Sequence, residues 1–319
     1  MKLLLTDSAT HKSNNDISLE AFKEFGEVLE YQNITRNELL KEITDTDIIL
    51  CNKTIINREI FENAKNLKMI GLFATGYNNI DIDLANEYGV TVCNAGSYST
   101  SAVAQQVFAY ILNHYSRVVD YSNAVSRGEW INSENFSLLT YPTDELMGKT
   151  IGIVGFGSIG KRVSEIANAF EMKVLIYNRS KKQSDIGEFC DLDTLLRKSD
   201  IVTVHCPLNK DSERIFKKET FLKMKKGAFF INTARGGVVC ENDLLDALRT
   251  NHLSGAAVDV LDSEPMRADC PLLKATNLII TPHTSWAPLA TRQRLIGIVK
   301  DNIRSFLSGT PKNVVNNPK

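Results

Sequence analysis

A chain of 319 residues is long enough for about two domains of ordinary size. Its 43% hydrophobic and 24% charged residues are globular in balance, and a formal net charge of −1 gives no electrostatic reason to expect nucleic acid or an anionic membrane as partner. The six cysteines are scattered, with no CxxC pair and no metal-ligand spacing, which favours reduced thiols in a cytoplasmic protein and no metal site.

The N-terminus, MKLLLTDSAT, is too short an apolar stretch for a signal-peptide core and reads as a first strand, Lys2–Thr6. Further strands are expected at Asp47–Cys51, Met69–Ala74 and Val90–Cys93, with helical spacing over Glu59–Leu67 and Ile82–Tyr88. A long helix, Ser101–Ser116, then bridges two domains. The polar and aromatic stretch after it, around Trp130 and Tyr141, is a candidate dimerisation arm, too polar for a core and too long for a simple loop. A second series of strands follows at Thr150–Gly155, Lys173–Tyr177, Ile201–Cys206, Ala228–Asn232, Gly255–Val260 and Leu278–Thr281, with helices such as Ile159–Phe170 and Glu241–Leu248 between them. The last helix, Pro288–Leu307, is expected to return to the first domain. Continuous apolar strands alternating with helices predict an α/β fold of two doubly wound parallel sheets, covered on both faces. No apolar run reaches the ~18 residues of a membrane span.

The segment Gly155-Phe-Gly157-Ser158-Ile159-Gly160 follows a buried-strand pattern and opens a helix. That context separates a dinucleotide-binding loop from a chance GxGxxG. Gly155 is expected to allow the tight turn, Gly157 the approach of a pyrophosphate and Gly160 close helix–strand packing, with the helix start facing the phosphates. After the next strand, where NAD enzymes usually carry an acidic residue, stand Asn178, Arg179 and Ser180, with Lys181 and Lys182 beyond. Loss of the carboxylate and gain of a guanidinium suit a 2′-phosphate, so NADP is favoured over NAD.

Moving a hydride to or from a carbinol carbon also requires a proton donor or acceptor, and histidine suits both directions. Of the five histidines, His11 and His252 lie in polar, loop-like sequence and His114 sits on the bridging helix in a structural setting. His205 and His283 each end an apolar strand, where an open α/β sheet places its ligands. Two neighbouring strand ends carry Arg235, within Asn232-Thr233-Ala-Arg-Gly-Gly237, and the carboxylates Asp259 and Glu264.

These segments, with Thr281-Pro-His-Thr-Ser-Trp286, stand in the order and spacing of the D-isomer-specific 2-hydroxyacid dehydrogenase family, which the chain resembles over nearly all its length. The resemblance implies a Rossmann cofactor domain over residues 100–288, inserted into a flavodoxin-like substrate domain of residues 1–99 plus 289–319. It further implies that Arg235 binds the substrate carboxylate and carbonyl oxygen. His283 exchanges the proton, and Glu264 hydrogen-bonds its far nitrogen, fixing the tautomer and favouring the imidazolium. Asp259 would meet the nicotinamide carboxamide, with His205 and Thr233 also on the cofactor. Thr75 and Gly76 match a loop whose backbone N–H groups hold the substrate carboxylate. Family members are usually homodimers through the cofactor domain.

Ala74-Thr-Gly-Tyr-Asn78, Tyr98-Ser-Thr-Ser-Ala-Val-Ala-Gln105 and His283-Thr-Ser-Trp286 look most like the glycerate dehydrogenase (hydroxypyruvate/glyoxylate reductase) branch, with Trp286 walling a small pocket or simply packing. Gln105 replaces a Glu, and Asn178 an Asp, of many members; only the second bears on an assignment, the cofactor. The expected activity is NAD(P)-dependent reduction of a small 2-oxo acid. Phosphoglycerate dehydrogenase is an alternative, although a chain ending at Lys319 leaves no room for the regulatory domain that many of those carry. A non-enzymatic nicotinamide sensor of the corepressor type is another, without the disordered tail or docking segment expected of it.

Overall fold

A computed structural model describes residues 1–12, 16–180 and 184–318. The chain divides into two compact units, Met1–Ser99 with Ala287–Lys319, and Thr100–Trp286.

In the first unit, β1 (Lys2–Leu5), β2 (Glu27–Glu30), β3 (Ile48–Cys51), β4 (Met69–Leu72) and β5 (Thr91–Cys93) form one sheet in the order β2-β1-β3-β4-β5, all parallel. This 2-1-3-4-5 order is that of flavodoxin-like folds. Helices α1 (Arg36–Glu42), α2 (Arg58–Asn63) and α3 (Ile82–Glu87) connect the strands. A capping box starts α1: the Thr35 hydroxyl accepts from Glu38 N–H while the Glu38 carboxylate takes Thr35 N–H at 2.8 Å. Strands β1, β3 and β4 are apolar runs with no alternation, as burial on both faces requires. The edge strand β2, Glu-Val-Leu-Glu, has exposed ends and gave no sequence signal.

The second unit opens with α4 (Thr100–Ser116) and α5 (Val118–Ser126). Strands β6 (Thr150–Val154), β7 (Lys173–Tyr177), β8 (Glu188–Phe189), β9 (Ile201–Val204), β10 (Ala228–Asn232), β11 (Leu253–Val258) and β12 (Leu278–Ile280) form a seven-stranded parallel sheet ordered β12-β11-β10-β9-β6-β7-β8. Counted from β6, this is the doubly wound 3-2-1-4-5-6 order with one strand added. Helices α6 (Ser158–Ala169), α7 (Leu192–Lys198), α8 (Lys218–Lys223) and α9 (Glu241–Arg249) link the strands. The two faces of the sheet carry separate cores: Leu195, Phe216, Phe230 and Leu244 on one, Val107, Ile111, Ile151 and Phe229 on the other. The chain then returns to the first unit as α10 (Leu289–Leu307), which packs Val299 over Gly71 of β4; a Cβ there would already overlap the Leu50 side chain.

The long helix expected as a bridge lies wholly within the second unit as α4. His114 on it is structural in an identifiable way: its ring stacks on Phe229 at 4.0 Å, and burial, with the charge of Arg117 adding, lowers its pKa to about 4. His11 is not the loop histidine that its polar neighbours imply. It is 1% exposed, its ring lies 4.3 Å from Phe73, and Arg292 donates to its backbone carbonyl at 2.9 Å. No helix among the described residues is long and apolar enough to cross a membrane.

Candidate active site

In the second unit the strand order reverses between β7 and β9, on either side of β6, and ligands of doubly wound sheets gather outside the carboxyl ends at such a point. The residues of this unit singled out from the sequence fall on this one edge. Gly155 follows β6, Asn178 follows β7, His205 follows β9, Thr233 and Arg235 follow β10, Asp259 follows β11 and His283 follows β12.

The glycine loop needs its glycines for three different reasons. Gly155 has φ +101°, and a Cβ on it would lie 2.6 Å from Cys206 N. A Cβ on Gly160 would lie 2.2 Å from Gly155 O, so only glycine lets α6 start this close to β6. At Gly157 the same Cβ would meet nothing within 4 Å, so the missing side chain leaves open space in front of the helix. Gly157 is also the N-cap of α6, whose first turn holds no acidic residue. Ser158 and Ile159 form that turn, and Ile159 rests its side chain on the core. The helix start thus presents N–H groups and a positive dipole end to an open cradle, which fits a pyrophosphate.

Asn178 braces this loop. Its Oδ1 accepts Phe156 N–H at 3.1 Å, and its Nδ2 donates to Ser180 O at 2.8 Å and Ser180 Oγ at 2.9 Å. Arg179 is solvent-exposed and pairs with Asp211 at 2.8 Å, a contact across two strand-end loops that sequence spacing does not reveal. Asp211 is itself fixed by a turn in which Asn209 Oδ1 accepts Asp211 N–H at 3.0 Å and Ser212 N–H at 3.1 Å. Lys181 and Lys182 lie outside the described residues.

Just past β9 and β10, two polar atoms are buried without a partner among the described residues, His205 Nδ1 and Thr233 Oγ1. His205 spends Nε2 on Thr203 Oγ1 at 3.0 Å, and burial drives its pKa down to about 3, so the ring is neutral. Unsatisfied buried polar atoms are rare in folded proteins, and two on the edge of a dinucleotide-type sheet fit a ligand that supplies the missing bonds.

Arg235 is held through its backbone. Asn232, 1% exposed, donates Nδ2 to Arg235 O at 2.8 Å and accepts Ala234 N–H at 3.0 Å. The guanidinium donates to Ala234 O at 2.7 Å and has no carboxylate partner among the described residues. Next to it, Gly236 lies against the backbone of Leu261, where any Cβ would overlap the Leu261 carbonyl. The Leu261–Glu264 loop thereby packs on the Arg235 segment, and Glu241 anchors it further by accepting Asp262 N–H at 2.9 Å.

Glu264 bridges that loop to the histidine. One oxygen accepts Leu261 N–H at 3.1 Å, and the other lies 2.6 Å from His283 Nδ1. With Nδ1 engaged, Nε2 is the ring nitrogen left for chemistry. His283 adopts φ +54°, the left-handed region, and its N–H is bound to Asp259 O at 2.8 Å. Asp259 is 2% exposed and spends its carboxylate on this same loop: Oδ1 accepts from Thr281 Oγ1 at 2.5 Å and Thr284 N–H at 2.9 Å, and Oδ2 accepts Ser285 N–H at 3.0 Å. The resemblance assigned it only to the cofactor; its grip on the His283 loop was not foreseen. Trp286 closes the segment, half-buried.

In the first unit, Thr75 lies just past β4, its hydroxyl donating to Gly96 O and its carbonyl accepting from Asn94 Nδ2 at 2.8 Å. Gly76 follows it, half-buried. Asp7, also at a strand end and missed from sequence, gathers Asn52, Lys53 and Thr54 N–H groups on its carboxylate at 2.6–3.0 Å.

Residues 108–285 match the model of the D-isomer specific 2-hydroxyacid dehydrogenase, NAD binding domain. The chain belongs to this family. The dehydrogenase is 39% identical over 322 residues to a hydroxypyruvate reductase of Blautia hydrogenotrophica, covering 99% of this chain and all of that one. It is 39% identical to a glyoxylate reductase of Thermofilum pendens, over 86% of this chain and 82% of that one. Among solved structures it is similar to an acyclic imino acid reductase in complex with NADPH and D-Arg, with TM-score 0.87 and 30% identity over 99% of this chain and all of that one. The dehydrogenase is thus an oxidoreductase acting on CH–OH donors, and its second unit carries the NAD(P)-binding domain.

Proposed function

We propose that this dehydrogenase reduces a small 2-oxo acid, hydroxypyruvate or glyoxylate, to the D-2-hydroxy acid, with His283 as proton donor. The observation that carries the reading is the 2.6 Å Glu264–His283 contact, on the strand edge that also holds an Arg235 without a carboxylate partner among the described residues. The bound dihydronicotinamide supplies the hydride. Arg235 takes the substrate carboxylate and carbonyl oxygen on its planar fork, polarising the carbonyl. His283 Nε2 delivers a proton to that oxygen as charge develops, while Glu264 holds the ring and its tautomer. Trp286 limits the size of the acid accepted. Support for the substrate class comes from the two reductases to which the chain is 39% identical. The test is kcat/KM for hydroxypyruvate, glyoxylate, pyruvate and a branched 2-oxo acid; the two small acids should lead, and a preference for the branched one would overturn the assignment.

NADPH is the preferred reductant in this reading. Asn178 is a neutral amide and offers the adenosine ribose no negative charge, and its oxygen is already spent on Phe156 N–H. The Arg179–Asp211 pair is exposed on both sides, so solvent screens it and a 2′-phosphate can take the guanidinium from Asp211. Arg179→Ala should raise the KM for NADPH about tenfold and leave that for NADH within about twofold. Equal losses with both cofactors, or a wild-type preference for NADH, would remove the proposal.

We also infer a homodimer through the second unit. Its arm exposes Val118, Trp130, Ile131, Phe136 and Leu139, with Phe136 at 93% and Ile131 at 85%, a run of apolar side chains that a monomer leaves in water. Sedimentation should give a dimer, and Phe136→Glu with Leu139→Glu should give monomers; a monomeric wild type would end this inference.

A further inference from the structure

The His283 loop is held from behind by a buried chain of hydrogen bonds that runs from α4 through Thr281 to Asp259. Tyr110, on the inner face of α4 and 3% exposed, places its hydroxyl 2.5 Å from Thr281 Oγ1. Thr281 Oγ1 lies 2.5 Å from Asp259 Oδ1, and Asp259 receives the N–H groups of Thr284 and Ser285. Donor arithmetic fixes the direction. Thr281 donates its one hydrogen to Asp259 Oδ1, so it must accept from Tyr110. Burial raises the phenol pKa of Tyr110, opposed by its bond to Thr281 and reinforced by the Asp259 charge, so the hydroxyl keeps its proton.

The chain acts on a backbone that needs holding. His283 sits at φ +54°, with Thr281 before it and Thr284 and Ser285 after it all donating to the Asp259 carboxylate. Such a conformation in a non-glycine residue persists when its surroundings over-determine it. Three of roughly four acceptor sites on the Asp259 carboxylate go to this loop, which leaves about one for a ligand.

We propose that Tyr110 and Thr281 are positioning residues of the proton donor: through Asp259 they set where His283 stands against Glu264 and the substrate. This rests on the reading of His283 as donor. They touch no reacting atom, and their effect is on geometry, where a misplacement of about 1 Å costs on the order of a hundredfold in rate.

The test is a series at Thr281 and Tyr110 in the full chain, assayed with hydroxypyruvate and NADPH, with cofactor Kd taken from nicotinamide fluorescence. Thr281→Val should lower kcat tenfold to about a hundredfold, with KM and cofactor Kd within about twofold and a larger solvent deuterium effect on kcat. Thr281→Ser, which keeps the hydroxyl, should restore most of kcat, and Tyr110→Phe should fall between. Wild-type kcat in Thr281→Val would overturn the proposal, as would equal losses in the Ser and Val variants or a loss confined to cofactor Kd. Should Thr281→Val not fold, the Thr281→Ser and Tyr110→Phe pair decides by the same kcat comparison. His283→Ala separates the two claims: an active His283→Ala defeats the donor reading itself, whereas an inactive one beside a fully active Thr281→Val defeats only the chain.

Discussion

His283→Ala should lower kcat by roughly 10²–10⁴-fold, the range that a positioned general acid contributes. The substrate oxygen still develops charge when the hydride arrives, and without the imidazole that charge must be met by water or by Arg235 alone. Cofactor affinity should change little, because the side chain of His283 is tied to Glu264 Oε2 at 2.6 Å and none of the glycine-loop contacts involves it. Glu264→Gln should follow in the same direction with a smaller loss, since the amide can still orient the ring but brings no charge to it. The decisive comparison is kcat against cofactor Kd. A collapse of cofactor binding with residual kcat intact would mean that His283 serves the dinucleotide instead.

Arg235→Lys should cost about 10- to 100-fold in kcat/KM for the 2-oxo acid, carried mainly by KM. Hydrogen bonds to charged groups contribute about 1.5–3 kcal/mol each, and lysine keeps the charge while losing one arm of the fork. The backbone frame should survive, because Asn232 holds Arg235 through its carbonyl at 2.8 Å and not through the guanidinium. Unchanged thermal stability together with a raised KM would show that frame and contact are separable. A variant with wild-type KM would place the substrate carboxylate elsewhere.

How much of this was legible in the sequence depends on whether the signal was local. Buried strands such as Ile48–Cys51 and Ala228–Asn232 announce themselves as continuous apolar runs, and the glycine loop by its setting between strand and helix. The edge strand Glu27–Glu30, the two-residue Glu188–Phe189 and helix Val118–Ser126 had no such signature; each is short or half in water. His11 read as a loop residue because the partner that holds its carbonyl, Arg292, lies 281 residues away. The strand-end positions of Arg235, Asp259 and His283 followed from periodicity, and the roles assigned to them from resemblance. What binds them together did not: Tyr110 and Thr281 are 171 residues apart, and Arg179 and Asp211 are 32 apart on different loops. Such contacts are made by topology, and one sequence does not carry them.

The central claim is that this edge performs hydride transfer to a small 2-oxo acid with His283 supplying the proton. Its most direct test is to mix the purified chain with NADPH and hydroxypyruvate, follow the loss of reduced-nicotinamide absorbance, and determine the configuration of the product. One NADPH should be consumed per D-glycerate formed, with kcat lowered roughly 10²–10⁴-fold in His283→Ala. Formation of the L isomer, or no NADPH or NADH oxidation with any of the four 2-oxo acids, would contradict it.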